Sequence, residues 1–364
     1  MESIDIPMAK PDIGELEENA VLDVLKSGWL GQGKKTIEFE KLLSEFFTSY
    51  TVAVFNGSSA IMCALLAHGI KPGDNVAVPN FTFMSTASIP KILGANIIPI
   101  DIDFYTLNLD LVALEEELKL KKIKFVIFVD VAGLSNDIDH LVELSKKYNF
   151  VLIEDAAEAF GSEYKNKRLG SFEHTTIFSF HIAKAITTIE GGCITTKNSE
   201  FAKKVSAIKD IGRTERGYKH DFIGSNFRIT DIQSAIGIQQ IGKIDKILKR
   251  KQKIALRYKN EIKGLEFQVT PEYATLHSQM LFFAIAENKN SRNKHVEKLR
   301  RYGIDARLPW TPVNNQPCFP ELNQLEYKKS EEASNRCFTI PIFNTISDDE
   351  VTKIINVINQ NFVV

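Results

Sequence analysis

Residues 124–158 read KFVIFVDVAGLSNDIDHLVELSKKYNFVLIEDAAE, and this stretch decides the fold. Two apolar, β-branched runs, Lys124–Val129 and Phe150–Glu154, flank an amphipathic segment, Ile138–Lys147. Apolar runs without alternation suit strands buried on both faces, and the segment between them closes a βαβ unit. The same pattern extends outward. Thr51–Phe55, Asn75–Val78, Asn96–Ile100 and Thr175–Ser179 are expected strands, and Ala60–Ala67 and Leu111–Leu118 expected helices. Repeated units of this kind imply an α/β domain built on a mostly parallel sheet. Two amphipathic helices, Glu15–Lys26 and Thr36–Phe47, precede it. One long helical pattern runs from Ile232 to Lys263, and its basic residues (Lys246, Lys249, Arg250, Lys251, Lys253) read as a solvated face. Beyond Leu265 the pattern becomes a strand (Met280–Ile285) and two helices (Ser291–Tyr302, Asp348–Ile358). The expected division is a large α/β domain over 1–245 and a smaller α+β domain over 246–364.

A length of 364 residues fits two domains. Hydrophobic residues at 44% and charged residues at 25% exclude a disordered or fibrous chain. Lys plus Arg (45) balances Asp plus Glu (46), so the chain carries no basic footprint for nucleic acid or an anionic membrane. Met1 to Asp5 lacks the apolar run of a signal peptide. The most apolar stretch, Phe125 to Leu134, is about ten residues long and contains Asp130, against about twenty for a membrane span. Cys63, Cys193, Cys318 and Cys337 are scattered, so neither a disulfide framework nor a structural zinc is expected, and the expected location is the cytoplasm.

Nucleotide motifs fail. No G-x-G-x-x-G follows a strand, and Gly28 to Lys35 resembles a P-loop only until Lys35 stands where a Ser or Thr should bind magnesium. Three other segments carry chemistry. The strand Thr51–Phe55 runs into Asn56-Gly57-Ser58-Ser59 and a helix, whose free amides and hydroxyls can cradle a phosphate. Read alone, this is equally a serine N-cap. Val151 to Glu158 places Glu154 and Asp155 at the C-terminal end of a buried strand, where α/β sheets present ligand sites, although a helix-capping Asp reads the same way. Phe178 to Gly192 sets Lys184 in an apolar, hydroxyl-rich stretch. A buried lysine loses its proton more readily and can condense with an aldehyde; a snorkelling lysine is the plainer alternative. Together, a phosphate cradle, a carboxylate and a buried amine are what pyridoxal 5'-phosphate requires.

These residues carry a resemblance. Lys26 through Gly33, Val78 through Phe83, Ile153 through Glu158, Phe178 through Gly192 and Gly224 through Gln233 resemble the DegT/DnrJ/EryC1/StrS family of sugar-nucleotide aminotransferases. The resemblance implies the type I pyridoxal-phosphate fold, with a three-layer, mostly parallel sheet domain and a smaller C-terminal domain. It makes Lys184 the Schiff-base lysine of a cycle that passes through pyridoxamine phosphate, and Asp155 the partner of the pyridine nitrogen. Phe83 falls where a ring stacks on the cofactor, and Glu158 where Gln or His usually reaches the 3'-oxygen. Gly57, Ser58, Ser59 and Ser179 match the phosphate binders. Asn226 matches a residue given to the neighbouring subunit's phosphate, which implies a homodimer with shared sites. Substrate contacts are expected near His181, His220, Arg228 and Trp310.

Two departures bear on the substrate: Asp130 and Ala132 replace the family's usual His and Tyr or Asn, at positions expected to line the sugar region. Ile186-Thr187-Thr188 with Glu190-Gly191-Gly192 resembles members that aminate C4 of a sugar. Arg307 through Pro312 and Gln316-Pro317 resemble the GDP-perosamine synthase branch. The resemblance therefore implies L-glutamate as donor and a nucleotide-linked 4-keto-6-deoxyhexose as acceptor. A GDP sugar is favoured over a dTDP or UDP sugar. A sugar dehydratase of the same fold usually replaces the lysine by histidine, and a non-catalytic cofactor-binding regulator has no need of Lys184.

Overall fold

A computed structural model describes residues 4–215 and 217–362. Its strands are, in chain order, β1 (Tyr50–Val54), β2 (Asn75–Pro79), β3 (Asn96–Ile100), β4 (Phe125–Val129), β5 (Val151–Asp155), β6 (Glu163–Tyr164), β7 (Lys167–Arg168), β8 (Thr175–Ser179), β9 (Gly192–Thr196), β10 (Glu266–Phe267), β11 (Phe282–Ile285) and β12 (Cys337–Ile340). Seven of them form the main sheet in the order β1-β9-β8-β5-β4-β2-β3. All run parallel except β9, which is antiparallel to β1 and to β8. β9 escaped the sequence reading, which took Gly192 only as the end of a motif. A Cβ at Gly192 would lie 2.7 Å from the Phe178 carbonyl and 2.8 Å from that of Asn56, so only glycine lets β9 pack this closely against the turn after β1.

Alternation along the buried strands sorts side chains between two helical layers. Ile127 and Ile153 join Val52, Val76 and Ile177 against the helices Gly57–Ala67 and Ser199–Lys209. Val126, Phe128 and Leu152 face the other way, against Leu114, Leu118, Leu141 and Leu144 of the helices Leu111–Leu120 and Ile138–Tyr148. On that same side Phe47, from the helix Lys34–Phe47, stacks on Phe178 with centroids 4.5 Å apart. The result is the three-layer α/β architecture of the PLP-dependent aminotransferase fold.

β10, β11 and β12 form a second, antiparallel sheet, packed with the helices Lys289–Arg301 and Asp348–Phe362. The first described residues belong with it, although the sequence reading placed them in the large domain. The amides of Asp5 and Ile6 donate to the Gly303 carbonyl, Asp305 N donates to Ile6 O, and Ile6 is buried in this second core. Such long-range pairing leaves no local signal.

The single long helix expected over Ile232–Lys263 is two helices, Asp231–Ile241 and Ile244–Glu261, broken at Gly242. The break is pinned from outside. Gln240 Nε2 donates to Asp12 O at 2.7 Å and to Glu17 Oε1 at 2.8 Å, and Lys243 Nζ pairs with Glu17 at 2.7 Å. Helix Ile244–Glu261 then spans both cores: Ile244, Ile247 and Leu248 pack in the first, and Ile254, Ala255 and Tyr258 in the second. Its basic run is not wholly a solvated face. Lys251 falls on the apolar stripe, three residues from Leu248 and from Ile254, and is buried. No helix among the described residues is long and apolar enough to cross a membrane.

Candidate active site

Parallel strands present their C-terminal ends together, and here the ends of β4, β5 and β8 open onto a cavity of about 430 Å³. Its walls include Val129, Asp155, Ile177 and Ser179 from those ends and Gly57 and Ser58 from the start of helix Gly57–Ala67. Trp310 reaches in from the chain between β11 and β12. Asn56 caps the helix by accepting from Ser59 N at 2.8 Å. That contact uses the Ser59 amide, and Ser59 is buried and does not line the cavity. The Gly57 and Ser58 amides, in the first turn, have no intrahelical acceptor. The Ser58 and Ser85 hydroxyls lie 2.7 Å apart. A Cβ on Gly57 would meet Ser179 Cβ at 3.0 Å, so a side chain there would crowd the serine.

Strand alternation separates the two carboxylates of the Glu154-Asp155 pair. Asp155 faces the cavity and is held there by the Thr86 hydroxyl at 2.8 Å and the Ala157 amide at 3.2 Å. Burial pushes its carboxyl up to about 6, against the pull of those two donors and of the Lys184 charge. Glu154 points into the opposite layer, where Thr176 Oγ1 donates to it at 2.6 Å and His174 Nε2 lies at 3.1 Å. Asp130 meets Glu154 there. Asp130 and Ala132 are fully buried and do not line the cavity, which corrects their expected place near a sugar. Asp130 replaces solvent with Glu154 and Asn136, and Ala132 contributes its amide to Glu158.

Burial and the neighbouring Glu154 charge hold the Asp130 carboxyl well above its ordinary value. Asp130 Oδ2 and Glu154 Oε1 have no other partner among the described residues, so one shared proton satisfies both. The folded protein thus keeps a proton that the unfolded chain releases near pH 4, and stability falls as pH rises from there. Asp130→Asn is neutral at every pH and can donate to Glu154. Its melting temperature at pH 8 should exceed wild type by about 2–4 °C, with no such gain at pH 4. A lower melting temperature at pH 8 would exclude the shared proton.

Lys184 enters the cavity from the loop after β8, its side chain 15% exposed and its Nζ 3.5 Å from Glu158 Oε1. The loop is tied down: Lys184 N donates to His181 O, Thr187 Oγ1 and Thr188 N both donate to Phe180 O, and Ile189 N donates to Thr187 Oγ1. Glu158 is buried, and its Oε2 accepts the Ala132 amide at 2.8 Å. His181 lies 3.9 Å from Glu190, and both line the cavity, as does Phe83, which is 60% exposed. The structure therefore brings Gly57, Ser58, Phe83, Asp155, Glu158, Ser179, His181, Lys184 and Trp310 to one place.

Three expected residues lie elsewhere. Asn226 and His220 are exposed, with His220 Nδ1 2.8 Å from Ile211 O, and Arg228 pairs with Asp210 at 2.6 Å; none lines the cavity of its own chain. The sequence reading missed Thr82, Ser85, Thr86 and Ala157. Thr82 and Thr86 stand four apart beside a short helix, a signal too common to single out. The P-loop mimic is filled by protein: Asp231 accepts from the amides of Gly33, Lys35 and Thr36, the donors an anion would need.

The model of the DegT/DnrJ/EryC1/StrS aminotransferase family matches residues 11–359. The chain belongs to this family. It is 32% identical to the GDP-perosamine synthase of Escherichia coli O157:H7 over 98% of each chain. Among solved structures it superposes on Helicobacter pylori PseC, an aminotransferase of pseudoaminic acid biosynthesis. The TM-score there is 0.90 at 28% identity, covering 100% of this chain and 99% of that one. A putative sugar aminotransferase of Streptococcus pneumoniae, Spr1654, in its PLP-form gives a TM-score of 0.91 at 28% identity, over 98% of each chain. This aminotransferase thus belongs to a group of PLP-dependent transaminases, and its cavity offers donors of the type PLP requires.

Proposed function

We propose that this aminotransferase transfers the amino group of L-glutamate to C4 of a nucleotide-linked 4-keto-6-deoxy sugar, with GDP-4-keto-6-deoxymannose the favoured acceptor. One observation supports the chemistry above the rest: Lys184 Nζ lies in the same cavity as the buried Asp155 carboxylate and the amides of Gly57 and Ser58. The similarity to GDP-perosamine synthase and the Ile186-Thr187-Thr188 segment support the acceptor.

The residues fit pyridoxal 5'-phosphate. When bound, the cofactor supplies an electron sink for the negative charge that develops at carbon. The amides of Gly57 and Ser58 and the hydroxyls of Ser58 and Ser179 hold the phosphate. Asp155 faces the pyridine nitrogen, and its carboxylate keeps that nitrogen protonated. Glu158 is directed to the 3'-oxygen, and Phe83 covers one ring face. Lys184 supplies the amine for the aldehyde and, once free, takes a proton from Cα of glutamate. In the second half-cycle it delivers a proton to C4 of the sugar. Asn226, with His220 and Arg228, stands away from its own cavity and is available to the site of a second copy, as a homodimer with shared sites requires.

The test is a panel of GDP-, dTDP- and UDP-linked 4-ketosugars, each with glutamate, read as amino-sugar product by mass spectrometry. The GDP sugar should give the highest kcat/KM. A larger value for another nucleotide would overturn the GDP preference. No product from any ketosugar, while 2-oxoglutarate still forms from glutamate, would overturn the sugar reading.

A further inference from the structure

Glu158 raises a problem of charge. It is buried, and its partners are one amide and the ammonium of Lys184. If Lys184 is the reactive amine, it must leave this carboxylate at every turnover. A buried carboxylate deprived of its cation is costly. A second cation lies nearby. Lys251, 4% exposed, occupies the apolar stripe of helix Ile244–Glu261, and its ammonium feels the charges of both Glu158 and Lys184. Among the described residues no hydrogen bond or ion pair claims it. It lines a second cavity of about 20 Å³ together with Lys184, Thr187, Gln240 and Asn344, enough space for a single water.

The other ionisable groups around Lys251 do not balance it. Lys10 and Asp12 border the small cavity, but Asp12 is engaged by Asn344 at 2.7 Å and lies 3.8 Å from Lys243. His277, whose proton affinity also responds to Lys251, is pushed down to about 3 by burial and is neutral. Glu158 is the remaining anion. We propose that Lys251 is a positioning residue, the standing counter-charge of Glu158, which lets Lys184 leave that carboxylate without stranding a charge. Burial draws the Lys251 ammonium down to about 7 while Glu158 opposes the shift, as such a pairing requires.

The proposal rests on Lys184 as the reactive amine, but its test uses cofactor-free protein. Melting temperatures at pH 7 are compared for wild type, Lys251→Met, Glu158→Gln and the double variant. Removing Lys251 should be less favourable by about 3 °C or more with Glu158 present than after Glu158→Gln. Lys251→Arg should retain the coupling. Equal changes in both backgrounds would overturn the proposal.

A second measurement serves if the double variant fails to fold. A lysine whose folded pKa is depressed has lost its proton where the unfolded chain still holds it. Stability therefore rises between about pH 7 and 10 in wild type. In Glu158→Gln that rise should begin about one pH unit lower, because the ammonium has lost its anion. An unchanged onset would likewise overturn the pairing. If Lys184→Ala remained active, only the reading of Lys184 would fall, and the coupling would stand.

Discussion

Lys184→Ala should fold, bind cofactor and lose turnover by about 10³-fold or more. Lys184 supplies the one primary amine among the described residues lining the main cavity, and no second group there can both hold an aldehyde and move a proton between carbons. His181, the other basic residue in the wall, faces Glu190 at 3.9 Å. The substitution removes a partly exposed side chain from a loop secured by backbone and threonine contacts, so the fold should survive. Stopped-flow mixing with glutamate, followed in the cofactor absorption band, gives the rate of the first half-reaction. A small primary amine added at high concentration should restore part of it, because the cavity left by the side chain can admit one. Transamination within tenfold of wild type would exclude Lys184 from the chemistry.

Asp155→Asn should give a protein that is nearly inactive and yet harder to melt. An amide cannot hold the ring nitrogen protonated as a carboxylate does, so turnover should fall by about 10²-fold or more with the cofactor still bound. Stability moves the other way. Burial lifts the Asp155 carboxyl to about 6 in the folded protein, above its value in the unfolded chain. Stability is therefore lost as pH rises from about 4 to 6, and the whole penalty remains above that window. Asparagine abolishes it, so cofactor-free Asp155→Asn should melt above cofactor-free wild type at pH 8. The wild-type rate should also decline as pH falls through about 6. Unchanged turnover would count against the proposed role, and a lower melting temperature against the buried charge.

Much of this site is legible in the sequence because its parts are local. The strands Asn96–Ile100 and Thr175–Ser179 coincide with the structure, and β4 and β5 shift by one residue. That single residue matters: it carries Asp155 into the end of β5, and alternation then sends it to the cavity and Glu154 to the opposite layer. No composition argument separates two adjacent acids. The features that stayed hidden depend on distant partners. Thr86 matters only because it meets Asp155 at 2.8 Å, and the break at Gly242 only because Glu17 and Asp12 capture Gln240 and Lys243. Lys251 was hidden by its company, since a lysine among lysines reads as surface until the helix is seen to turn it inward.

The helix Ile244–Glu261 anchors one half of its length in each of two hydrophobic cores. Such an arm couples the fates of the two bodies. If heat melts the antiparallel sheet, the arm loses half its anchorage, and Lys251 and the apolar groups beside it are uncovered behind the reactive lysine. Loosening at the far end of the molecule therefore reaches the catalytic chamber through a shared axle, so damage to the C-terminal body should extinguish activity well before the main sheet itself comes apart.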